Sequence, residues 1–156
     1  MNKDVIIETE RLILRQYKLE DVNDIVEGLN NLNVTKWLQG APYPYTEQDA
    51  LHFINKSLDN NLYNGTAGGG IWISEKYWGH GYGSEAFGAR IKYAFEELGL
   101  RRLENGYFKD NEKSHKMQLK FGYKDEGIRR QKFVSRGSGK IEDEYITGLL
   151  KDEWIH

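Results

Sequence analysis

The sequence predicts an α+β fold, a sheet with helices packed against it, in one domain spanning residues 1–156. Apolar residues alternate with polar ones in short runs, the period of a half-buried strand. Elsewhere they recur every three to four residues, the period of a helix with one buried face. Between residues 70 and 86 a strand-like run passes through closely spaced glycines directly into a helical pattern.

Leu12 and Leu14 alternate with Arg11, Ile13 and Arg15 and give the first strand. Leu19, Val22, Ile25, Val26 and Leu29 share a helical face, and Asn30, Asn31 and Asn33 end that helix. Pro42 and Pro44 keep the next segment extended. Thr46 with Asp49 three positions later has the form of a capping box, and Ala50, Leu51, Ile54 and Leu58 stripe the second helix, which runs to about Leu58. From Gly83, the stripe Phe87, Ile91, Ala94, Phe95 and Leu98 marks a third helix, with Gly99 at its left-handed stop. Residues 102–108 read as a strand, 111–121 as a short helix, 123–134 as a longer strand and, after a Gly137-Ser138-Gly139 turn, 141–150 as the last strand.

A chain of 156 residues is long enough to bury about two-thirds of its unfolded surface in a single core. A formal charge of −2 gives no general attraction to nucleic acid or to an anionic membrane, and Arg129, Arg130 and Lys132 read as the solvated edge of a strand. With no cysteine there is no disulfide, no thiolate metal site and no acyl-cysteine intermediate. His52, His115 and His156 show no ligand spacing, so no metal is expected. The charged start does not have the form of a signal peptide and no apolar run approaches membrane length, so the cytoplasm is the expected compartment.

Gly79, Gly81 and Gly83 can take positive φ and leave no side chain between backbone and ligand. Opening into a helix, they present free N–H groups at its positive end, which contributes about 0.3–1 kcal/mol toward an anion at an exposed site. A diphosphate is the expected guest. The dinucleotide fingerprint requires glycine at its sixth position, where Ser84 stands, and the Walker loop requires a Gly-Lys-Ser/Thr that is missing.

Four ordered blocks resemble the GCN5-related N-acetyltransferase (GNAT) superfamily, especially the branch that acetylates N-terminal amines of ribosomal proteins. They are Glu8-Thr-Glu-Arg-Leu-Ile-Leu-Arg15, Tyr77-Trp-Gly-His-Gly-Tyr-Gly-Ser-Glu-Ala86, Asp110-Asn-Glu-Lys-Ser114 with Lys120-Phe-Gly-Tyr123, and the Tyr145-to-Trp154 ending. The resemblance implies a mixed, mainly antiparallel sheet flanked by helices. It also implies acetyl-CoA as cosubstrate, its pantetheine arm lying where the strand Ile71, Trp72 and Ile73 splays from its neighbour 102–108. The diphosphate is then expected on the amides of Gly79, His80, Gly81, Tyr82, Gly83 and Ser84, with the His80 ring available to neutralise it. Trp78 stands where much of the superfamily has Gln or Arg and reads as packing beside that site. Asn111 corresponds to an asparagine that contacts the pantetheine amide, and equally suits a helix cap. Ser114, one turn on, would face the sulfur and stabilise the departing thiolate.

The implied reaction is direct attack of an unprotonated amine on the thioester, with a backbone N–H of the splayed strand meeting the oxyanion. The usual proton-transfer groups are absent: Gln118 replaces a tyrosine, and Gly68 and Gly69 stand where the branch often has a glutamate. Glu104 and Tyr107 on the neighbouring strand remain. Deprotonation at pH 7 costs about 4.6 kcal/mol for a lysine and about 1.4 for an α-amine, so weak base assistance favours a peptide or protein N-terminus. The alternatives are a polyamine or aminoglycoside acetyltransferase, or a CoA-binding protein with little or no turnover.

In the family two antiparallel strands precede the splayed one, a hairpin of roughly 20 residues. Only residues 59–70 occupy that place here. The hairpin is therefore expected to be shortened or missing, leaving the first strand to pair with residues 70–73 or leaving edges that recruit a second copy into a strand-swapped homodimer.

Overall fold

The protein is seen as a computed structural model that describes residues 5–57 and 65–156. Strands β1 (Ile6–Glu8) and β2 (Ile13–Arg15) form an antiparallel hairpin with Ile7 opposite Leu14. Thr9 closes it: its N–H donates to the Leu12 carbonyl at 2.9 Å and its hydroxyl accepts from the Leu12 N–H at 2.9 Å. The alternation holds, with Leu12 and Leu14 half-buried and Ile13 68% exposed.

This corrects the pairing expected for the first strand. Its partner is β1 and not residues 70–73, because a tight turn makes β1 the nearer partner and costs little closure entropy.

A 3-10 turn leads into α1 (Val22–Leu29), followed by the short α2 (Leu32–Thr35) and α3 (Glu47–Ser57). The Thr46 backbone N–H donates to Asp49 Oδ2 at 2.9 Å and the Asp49 N–H donates back to Thr46 Oγ1 at 3.3 Å, the reciprocal cap read from the sequence. Ala50 and Ile54 are buried, but Leu51 is 37% exposed and the inner face is completed by Phe53. Leu58 and residues 59–64 lie outside the described residues.

Strand β3 (Thr66–Gly68) begins a four-stranded sheet in the order β3-β4-β6-β5, where β4 is Arg102–Phe108, β5 Lys124–Val134 and β6 Ile141–Leu150. β3 runs parallel to β4, and the other two pairings are antiparallel. Helices α4 (Tyr82–Lys92) and α5 (Glu112–Lys120) bury Phe87, Ile91 and, beyond α4, Phe95 against Leu103 of β4 and Leu149 of β6. The other core gathers Ile25, Leu29, Val34, Ala50 and Ile54 from α1, α2 and α3.

After Lys92 the helix widens into a π turn, Tyr93–Glu97, in which the Leu98 N–H bonds to the Tyr93 carbonyl. The extra residue moves Leu98 off the apolar stripe, leaving it 41% exposed, and Leu100 fills the buried place instead. Gly99 ends the helix at φ +64, as its position predicts.

Candidate active site

The glycine segment makes a one-turn 3-10 helix at Glu75–Tyr77 and then the turn into α4. Gly79 and Gly81 sit at φ +78 and +80, the left-handed region that favours glycine. Gly81 is the N-cap and has no side chain to cap the helix, and the Glu85 N–H is the first amide of α4 taken up, by the Gly81 carbonyl at 3.0 Å. The amides from Gly79 to Ser84 therefore keep the donors an anion requires. A Cβ on Gly79 would meet nothing within 4 Å. The cradle fits a diphosphate.

Arg11 fixes this turn from the β1–β2 hairpin. Its Nη1 donates to the His80 carbonyl at 2.9 Å, its Nη2 lies 2.6 Å from Glu85 Oε2, and its guanidinium covers the Tyr82 ring. Thr9 Oγ1 adds a bond to Glu85 Oε1 at 2.6 Å. These bonds engage Glu85, which would otherwise place a bare carboxylate in the first turn of α4, and they hold its pKa below the usual carboxylate range, with the Thr9 bond the largest cause. Lys120 reaches across from α5 to donate to Ser84 Oγ at 2.9 Å. The His80 ring is exposed, stacks on Tyr82 and lies 3.2 Å from the Tyr77 carbonyl through Nδ1. Trp78 donates from Nε1 to the Ile73 carbonyl at 2.8 Å and packs against the α1–α3 core.

Upstream of the cradle the parallel pair opens. Thr66, Ala67 and Gly68 lie opposite Arg102, Leu103 and Glu104, and among the described residues β4 has no further ladder partner on that side. Gly69, at φ +131, turns the chain away, and Arg90 of α4 holds the Gly70 carbonyl at 2.8 Å. Ile71–Ile73 therefore do not form the paired strand expected of them. The paired residues are Thr66–Gly68, and 71–73 are the diverging limb, with Ile71 packed on the α4–α5 core and Trp72 on the α1–α3 core. The glycine run at 68–70 provides the bend.

The two faces of β4 at this opening carry different chemistry. Leu103 faces the α4–α5 core, so Glu104 points to the other face, beside the last β3–β4 pair. Its Oε1 accepts from Arg102 Nε at 3.0 Å, and Arg102 also grips Glu126 through both terminal nitrogens. On the α5 face, Asn111 caps the helix by accepting the Ser114 N–H at 3.3 Å, and Ser114 Oγ accepts from Gln118 Nε2 at 2.9 Å. Tyr107 is buried on this same face. Burial, then Asp125, push its hydroxyl up to about 12, and its ring stacks on His115, whose Nε2 lies 3.0 Å from Asp125 Oδ1. Glu104 therefore lies on the face of β4 opposite α5, which carries Ser114, and Tyr107 is held in the packed interior.

A family model described as an acetyltransferase (GNAT) domain matches residues 61–124. An uncharacterized N-acetyltransferase, p20, of Bacillus licheniformis is 28% identical over 94% of this chain and 96% of its own length. A GNAT-family acetyltransferase from Bacillus anthracis superposes with a TM-score of 0.82 at 24% identity, covering 96% of this chain and all of that one. Residues 61–124 thus match the GNAT domain, and the chain is similar to GNAT N-acetyltransferases over most of its length. It is an acetyltransferase, with the mixed, mainly antiparallel sheet of GNAT proteins. A ribosomal-protein-S5-alanine acetyltransferase from Vibrio fischeri shares the GNAT fold at a TM-score of 0.72 and 19% identity, covering 98% of this chain and 100% of its own.

Among the described residues no helix is long and apolar enough to cross a membrane.

Arg11, Arg90, His115 and Asp125 are site neighbours that sequence reasoning missed. Arg11 carried a signal, since it lies in the first block that resembles the GNAT family. The others act through contacts 10 or more residues away, which periodicity does not report.

Proposed function

We propose that this single-domain chain is a cytoplasmic enzyme that transfers the acetyl group of acetyl-CoA to the α-amine of a peptide or protein N-terminus. What supports this reading is that β3 leaves β4 after Gly68 and Glu104, and that the amides of 79–84 leading into α4 stay free of internal bonds.

In this reading the diphosphate lies on the amides of residues 79–84, and the thioester arm enters between the diverging limb 69–73 and the free side of β4. Asn111, whose Oδ1 is used as a cap, keeps its Nδ2 for the arm. The amine nitrogen attacks the thioester carbon from the Glu104 side, forming the C–N bond. Glu104 takes the proton the nitrogen sheds, and the C–S bond then breaks to release the thiolate beside Ser114, which stabilises it with a hydrogen bond. A backbone N–H of the diverging limb meets the oxyanion. Tyr107, its hydroxyl pushed up to about 12, is the poorer proton acceptor of the two candidates.

Arg102 occupies one oxygen of the Glu104 carboxylate and leaves the other for the substrate, limited assistance that suits the amine that is cheaper to deprotonate. The acceptor of the Vibrio fischeri relative, an alanine of ribosomal protein S5 by its name, is in keeping with this class. The test is thiol release from acetyl-CoA near neutral pH with an N-terminal alanine peptide, an N-terminally blocked lysine peptide and spermidine. A rate on the alanine peptide about tenfold above the others supports the reading. Equal rates on blocked lysine or spermidine overturn it.

A further inference from the structure

Gln118 is fully buried in α5, which carries Ser114 one turn earlier on the same face. Its Oε1 is met by the hydroxyl of Thr147, itself fully buried on β6, and Thr147 Oγ1 also lies 3.3 Å from the Asn105 carbonyl. Its Nε2 donates to Ser114 Oγ at 2.9 Å. A line of bonds thus runs from Thr147 to Gln118 and ends on the Ser114 hydroxyl. Buried polar groups are rarely retained without partners, and here both ends of the Gln118 amide are engaged.

We propose that Gln118 is a positioning residue for the leaving thiolate: its amide, oriented by Thr147, occupies a lone pair of Ser114 and leaves the serine's single hydrogen free to point out of the helix at the sulfur. A serine in the first turn of a helix can otherwise turn its hydrogen back to a preceding backbone carbonyl. An amide donor already on the oxygen favours the outward orientation, and the proton stays on Ser114 throughout, donating a hydrogen bond to the sulfur. Gln118 therefore contributes at the place where much of the superfamily has a tyrosine, by acting through Ser114 and without touching the coenzyme.

The inference rests on the reading that Ser114 faces the sulfur, and one measurement separates the two. Coenzyme A is bound to the protein and its thiol is titrated by ultraviolet thiolate absorbance, which needs no amine acceptor. A hydrogen bond to the thiolate lowers the thiol pKa, so bound coenzyme A is expected to titrate about one pH unit lower in the wild type than in S114A. Gln118→Met should lose most of that shift, and S114A/Q118M should titrate with S114A alone. Thr147→Val, whose side chain touches neither Ser114 nor the proposed site, should lose part of it and serves if Q118M does not fold. If Q118M or T147V keeps the wild-type titration while S114A loses it, the role of Gln118 is overturned and that of Ser114 stands. A Q118M titration below the wild type would show that the amide is reversed and withholds the serine hydrogen, which also overturns the proposal. If S114A titrates with the wild type, the reading of Ser114 falls and the proposal with it.

Discussion

Gly79→Ala probes the amide row with a single methyl group. Gly79 sits at φ +78, and an added Cβ would find open space, so the substitution meets no steric obstacle inside the fold. The left-handed backbone costs an L residue about 1–2 kcal/mol. If the loop keeps its shape, stability falls by that amount and the methyl group stands on the side from which a diphosphate approaches. If the peptide turns out of the left-handed region, an aligned N–H is withdrawn. A hydrogen bond to a charged group contributes about 1.5–3 kcal/mol, so one lost donor weakens coenzyme A binding about 10- to 150-fold. Isothermal titration with coenzyme A, run beside acetyl-pantetheine, isolates the effect because the second compound keeps the arm and lacks the diphosphate. The expected result is a rise in Kd of about tenfold or more for coenzyme A, with acetyl-pantetheine unaffected. An unchanged Kd for coenzyme A, in a variant that still folds, refutes the placement of the diphosphate on this turn.

Arg11→Ala should raise the KM for acetyl-CoA severalfold with little change in kcat, because it frees the His80 carbonyl and leaves the Glu85 carboxylate without its guanidinium partner at the anion site; steady-state kinetics decide. In Gly28→Ala the new Cβ would lie 2.3 Å from Ser74 Oγ and 2.8 Å from the Trp72 ring, an overpacking cost of about 1–3 kcal/mol against a helix-propensity gain of about 1. A lower denaturant midpoint is expected, and a raised one contradicts the close approach of α1 to the limb that leads into the cradle. Asp21, held at about 2 chiefly by its bond to Arg15, contributes stability that is present above the unfolded value near 4 and is lost as pH falls through about 2. Asp21→Asn should therefore melt lower than the wild type at neutral pH, with the two melting temperatures converging between about pH 4 and pH 2.

Elements governed by local bonds were legible. β4 and β6 begin and end where alternation and turn residues place them, the Thr46–Asp49 cap forms as its spacing implies, and Gly99 stops the third helix. β1 and α2 were not, because a three-residue strand and a four-residue helix are shorter than one period of the pattern that would betray them. Leu98 was misplaced for a related reason: a stripe drawn at 3.6 residues per turn cannot register a π turn. In the sequence Gly68 and Gly69 read as the place of a missing glutamate. In the fold they make the bend that separates the diverging limb from β4.

By itself the sequence determined the row of free amides leading into α4, since they belong to consecutive residues and their direction follows from φ at Gly79 and Gly81 and from the start of α4. The tertiary structure alone decided that β3 leaves β4 after three pairs, that Leu103 and not Glu104 faces the α4–α5 core, and that Arg11 braces the turn. Each depends on the register between segments tens of residues apart. That register is set by how the two cores pack, a property of the whole chain that no short window contains.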